Sequence, residues 1–222
     1  MMADFIGYIS EKKILRLLVI SIITLLLINC KHQNKVDYST LAKELDSILK
    51  EDQKFRSELS SYSFESQQDS VKWKTMVETQ KGIDSSNLER VLEIIKDVGG
   101  YPGKTLVGES ASKVTFFVLQ HSSPEVQKKH LSMILEAAEK YELNKSYAAM
   151  FHDRVLMYEG KPQIYGTQIR KEFVFDSVSR KSYSKLSVWP IRDTTIVDSL
   201  RLWNGLVRLE DYLYGMGVEF QR

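Results

Sequence analysis

"SASKVTFFVLQHSS", residues 110–123, decides the fold. From Val114 to Leu119 its side chains are apolar nearly all round. A helix with no polar face has to be surrounded by other elements, so this stretch predicts a central, buried helix. Its β-branched and aromatic content leaves a buried strand as the alternative. The flanking segments must then supply amphipathic walls.

Downstream, Ser123 and Pro124 form a clean helix start, with proline at the first helical position. Val126, His130, Ile134, Ala138 and Tyr141 line that helix. Asn144 is placed to cap the next one, which runs to about Tyr158 and stops at Gly160 and Pro162. Upstream, Ser39 or Thr40 can cap a helix whose stripe is Leu41, Leu45, Ile48, Leu49, Phe55 and Leu59. "SSYSFESQQDS" interrupts, and a short helical stretch follows around Val71 to Thr79. Asp84 reads as the N-cap of another helix, with Leu88, Val91, Leu92, Ile95 and Val98 as its apolar side. "GGYPG", residues 99–103, ends it. The segment "GGYPGKTLVGES" lacks phosphate-loop spacing and reads as a loop between helices.

After Pro162 the texture changes. "IYGTQI", "EFVFD" and "YSKLSVW" look like short strands with polar corners. Thr195 with Asp198 resembles a capping box, and a last helical segment is broken at Gly205 and ends near Tyr214. The expected class is mainly α: one helical domain, residues 39–222, with a small late β-hairpin.

The chain has 222 residues, 43% of them apolar, enough for one substantial core. Lys and Arg number 31 against 29 Asp and Glu, a net charge of +2 with no block of either sign. That balance argues against nucleic acid as a partner, because phosphate neutralisation needs a clustered basic surplus.

The N-terminus reads as an address. Lys12, Lys13 and Arg16 precede Leu17–Ile28, an apolar run broken only by Ser21 and Thr24. This is short for a membrane span of about 20 residues. "LINC" resembles the lipobox of bacterial lipoproteins, with Leu27 at the apolar position and Asn29 departing from the usual small residue. Residues 1–29 are therefore expected to be a signal peptide cleaved before Cys30, the lone cysteine and the lipidation site. Residues 30–38 follow as a polar tether. An uncleaved anchor helix or a plain secreted form are the alternatives. The expected location is the cell envelope, facing periplasm or exterior, with membrane lipid as partner.

Candidates for chemistry are few. His121 follows Gln120 at the end of the central helix; an imidazole there can move protons or simply bond the last free carbonyls. "FHDRV" places Asp153 and Arg154 beside the buried face marked by Tyr147, Phe151 and Val155. An internal ion pair and an anion clamp are both consistent with that. "PQIYGTQIR", residues 162–170, packs Gln163, Tyr165, Thr167 and Gln168 around Gly166. A buried turn needs such groups for its own backbone, and a ligand pocket would use them equally well. The histidines at 32, 121, 130 and 152 show no metal-ligand spacing, and no cofactor motif is present.

The strings "EDQKFR", "IDSSNLERVLEII", "GGYPGKTLVGESAS", "LQHSS", "FHDRV", "GKPQIYGTQI" and "VWPIRD…VDSLRLWNGL" together resemble an uncharacterised bacterial family, domain of unknown function 6624. The resemblance spans about residues 45 to 212. It carries Asp52, Gln53 and Arg56 onto the family's polar motif positions, with Gln120, His121, Asp153, Arg154, Gln163, Tyr165, Gly166, Thr167 and Gln168. Gly100 stands where the family commonly has tryptophan. The resemblance favours one shared polar pocket and supplies no activity; a small polar or anionic ligand is the expected occupant, and His121 is the candidate catalytic base of an enzyme reading. A binding or scaffold module is the first expectation; a hydrolase-like envelope enzyme and a purely structural protein are the others.

Overall fold

The computed structural model describes residues 36–62, 67–176 and 180–218. The expected signal peptide, Cys30 and most of the tether lie outside them. Among the described residues no helix is long and apolar enough to cross a membrane. The chain is mainly helical with one two-stranded antiparallel sheet.

Helix α1 (Tyr38–Asp52) starts two or three residues earlier than a Ser39 or Thr40 cap would set it. Asp37 is the cap: its carboxylate accepts from the Ser39 amide and the Thr40 hydroxyl. Leu41, Leu45 and Ile48 are buried as the stripe requires. The stripe does not continue as one helix. The chain turns after Asp52 and resumes as short α2 (Arg56–Ser60).

Helix α3 (Gln67–Val98) is continuous where two helices were expected. Asp84 lies in its interior and caps nothing. Its carboxylate instead accepts from Arg56 and Gln80. Gly82 sits inside the same helix at a cost of about 1 kcal/mol relative to alanine, which the buried Met76, Val91 and Ile94 offset. Gly99, at φ 75°, closes the helix, and the Gly100 amide bonds back to the Ile95 carbonyl.

The stretch 99–110 was expected as a loop, but its residues from Lys104 on belong to α4 (Lys104–Ser112), kinked where Gly108 takes φ 82°. Glu142 supplies the cap that no local side chain provides, accepting from the Thr105 amide and hydroxyl. Then comes α5 (Val114–Gln120), the central helix, and its helical form resolves the alternative of a strand. Phe116, Val118 and Leu119 are buried on different sides of it.

Around it stand α6 (Pro124–Glu139) and α7 (Lys145–Tyr158). Ser123 caps α6 as expected. Phe116 stacks on Tyr147 at 4.7 Å between centroids and meets Phe151 at 6.2 Å. Ile134, Ala138, Leu143 and Val155 complete that core. Burying each large side chain contributes about 1.5–3 kcal/mol. Tyr141, expected on the stripe, is instead 76% exposed. Asn144 holds the N-cap position of α7, but its side chain makes no cap bond.

Strands β1 (Ile169–Asp176) and β2 (Lys181–Val188) pair antiparallel, Ile169 opposite Val188. "IYGTQI" is a turn rather than a strand up to its last residue, Ile169, which opens β1, and Gln163 just before it bridges to Ile191. Helices α8 (Val197–Trp203) and α9 (Leu209–Gly215) close a second small core of Val197, Leu209, Leu213 and Val218. Thr195 and Asp198 do not form a capping box. Asp193 holds Thr195, and Asp198 accepts from the Leu209 amide.

Candidate functional site

Two buried carboxylates organise the polar interior. The first is Asp52, the last residue of α1, whose side chain is 1% exposed. His121, the C-cap of α5, sets its Nδ1 at 3.1 Å from Asp52 Oδ1. Arg56 donates to both oxygens of the same carboxylate, and Gln53 donates to Oδ2 at 2.6 Å. Arg56 also reaches Asp84 Oδ1 at 2.5 Å, so it bridges two acids. Gln80 ties α3 to the end of α1 through the Asp52 carbonyl. Burial alone would push the Asp52 carboxyl up, but the bonds from His121 and Arg56 outweigh it and hold the group below its ordinary value.

An ionised carboxylate only accepts. The His121 nitrogen facing it, Nδ1, therefore carries the proton, and a neutral ring keeps its lone pair on Nε2. The His121 side chain is 17% exposed, and Nε2 meets no hydrogen-bond partner among the described residues. The C-cap position does not have the imidazole bonding the last free carbonyls; the backbone does that, with the His121 amide on the Val118 carbonyl. Among the described residues no group of three His, Cys, Asp or Glu side chains could hold a metal.

The second carboxylate is Asp153, fully buried on α7. It forms no ion pair with Arg154. It accepts instead from the amides of Ile164, Tyr165 and Thr167 and from the Thr167 hydroxyl. The 162–168 turn thus wraps one acid. Gln163, also fully buried, donates to the Gln168 and Trp189 carbonyls and accepts from the Gln168 amide. Gln168 donates to the Met150 carbonyl and the Thr167 hydroxyl. The turn's carbonyls are met by Arg201, buried on α8, which donates to Tyr165, Gly166 and Val207. The Tyr212 ring lies 4.8 Å below that guanidinium, and its hydroxyl donates to the Thr167 carbonyl.

The expected residues therefore fall in two places. Asp153, Gln163, Thr167 and Gln168 share the Asp153 turn, with Tyr165 half-buried over it and its ring 6.4 Å from that of His152. Arg154 is half-buried beside it; its Nε is buried with no partner. His121 belongs to the Asp52 cluster, and Gln120 precedes it, its carbonyl taken by Gln127. Among the described residues no hydrogen bond joins Gln120 or His121 to the turn. Asp84 and Arg201 escaped the sequence reading. Asp84 had a cap's sequence context, and Arg201 is an arginine on an otherwise apolar helix face, a signal visible only beside Val197 four residues earlier.

These features define a helical domain built around two internal carboxylate hubs, one of them holding an imidazole at the protein surface. The chain belongs to a family of unknown function, DUF6624, whose model matches residues 39–219. No curated protein and no solved structure matches the chain.

Proposed function

We propose that the chain is a cell-envelope lipoprotein whose domain performs hydrolase-like proton transfer at His121. The observation that supports this is the Asp52–His121 pair: a buried carboxylate on Nδ1 and an outward Nε2. Nε2 takes a proton from water as the water oxygen attacks a carbonyl carbon, and returns it to the leaving group. Asp52 keeps the ring in the right tautomer and stabilises the imidazolium between those steps. The substrate class that fits this chemistry is an ester or amide.

Nitrogen-15 NMR on the full-length chain reads the tautomer. A protonated Nδ1 with a bare Nε2 is expected; the opposite tautomer ends this reading. Against a panel of chromogenic esters and anilides, His121→Ala should lose about 10²–10⁴-fold in turnover, the usual contribution of a general base. Turnover that survives His121→Ala places the chemistry elsewhere.

A ligand-binding role for the Asp153 turn is the second reading, favoured by the buried, unpartnered Nε of Arg154. A small carboxylate that raises the melting temperature of the chain but not of Arg154→Ala would support it. For the anchor, mass spectrometry is expected to find an acylated N-terminal Cys30, and Cys30→Ala should shift the protein from membrane to soluble fractions. Unmodified Cys30 behind an intact N-terminus would leave the uncleaved anchor.

A further inference from the structure

A groove of about 400 Å³ lies at the start of α7, and neither Asp52 nor Asp153 lines it. Its rim carries Tyr141 and Trp203, each 76% exposed. Tyr141 sits at φ 61°, the left-handed position after α6 that glycine occupies at lower cost. Its ring buries little in return, so the fold gains nothing evident from tyrosine there. Strain without a structural return is a pointer to a site.

Lys145 is the second pointer. Its ammonium stands 5.6 Å from the Tyr141 ring centroid and 5.3 Å from that of Trp203. It is half-buried, and among the described residues it pairs with no carboxylate. Neighbouring Lys104 is already neutralised by Glu109 and bonded to Asn144 Oδ1. One cation held between two ring faces, with no anion of its own, matches a ligand that offers an apolar face and a negative charge together. Ser146 and Asn204, whose Nδ2 donates to the Leu200 carbonyl, line the same groove.

We propose that this groove binds an acidic carbohydrate, a pyranose bearing a carboxylate. The sugar's C–H face lies on Trp203, its carboxylate meets Lys145, and its hydroxyls reach Ser146 and Asn204. An inorganic anion would leave both rings unused, and a neutral sugar would leave Lys145 without its partner.

Calorimetry on the full-length chain, with a tetragalacturonate as probe, tests this. The acid form is expected to bind, and its methyl ester and inorganic phosphate to bind at least about tenfold more weakly. Trp203→Ala and Lys145→Ala should each weaken binding about tenfold, the equivalent of one aromatic or cation contact. Tyr141→Gly should weaken binding while raising the thermal midpoint, since it relieves the positive φ. Those opposite signs distinguish a ligand residue from a structural one. No binding of the acid form, equal binding of ester or phosphate, or binding unchanged in Trp203→Ala and Lys145→Ala overturns the proposal.

Discussion

Asp153 shows how one side chain can hold a loop. Its two oxygens satisfy three amides and a hydroxyl in a site closed to water, so each bond is strengthened and none can be replaced by solvent. Asp153→Ala would leave those donors buried and unpaired; a loss of about 3 kcal/mol is expected in urea unfolding. Asp153→Asn is expected to recover only part of it, because one oxygen becomes a donor facing donors. Asp52 carries a different load. Removing it strands Arg56 and His121 near the surface, where water can reach both. Asp52→Ala should therefore cost less than Asp153→Ala, about 2 kcal/mol. An equal or larger loss would mean that the Asp52 cluster is the main structural hub.

At the scale of elements, the 162–168 turn depends on Gly166. Its φ is 69°, and an added Cβ would lie 2.7 Å from Leu209 Cδ1 and 3.0 Å from Ile191 Cδ1. Gly166→Ala combines backbone strain with overlap and should cost about 2–3 kcal/mol. Gly205 has a similar φ of 71° with open space at its Cβ, so Gly205→Ala should cost only about 1 kcal/mol. Similar losses at both would show that packing of α9 on the turn contributes little. The same turn marks where sequence reading stopped. Gly166 as a corner and Ser123–Pro124 as a helix start were legible, because both follow from local backbone sterics. Asp84 was misplaced as a cap because its local context is that of a cap. Of its actual partners, Gln80 stands one turn earlier on the same helix, and Arg56 is brought to it by the packing of α2 on α3.

For the whole molecule, acid is the informative perturbation. Burial pushes the His152 imidazole down from its ordinary 6.5, with Asp153 opposing and Arg192 adding to the shift. On acidification the unfolded chain takes up that proton first, so stability falls as pH drops below about 6.5. The Asp52 carboxyl is also depressed, so its contribution is complete above 3.8 and disappears as pH falls through the folded value. Urea midpoints should thus decline in two steps, and His152→Phe should remove the upper one; an unchanged upper step would assign it to another group. The helical class, the buried character of residues 114–119 and the late hairpin were determined by the sequence alone. They depend on periodicity, capping and side-chain chemistry, which act over a few residues. Only the tertiary structure decided which distant acid or carbonyl a basic group would meet. His121 finds Asp52 across 69 positions and Arg201 finds Tyr165 across 36, and no short-range rule encodes a partner that chain folding alone brings near.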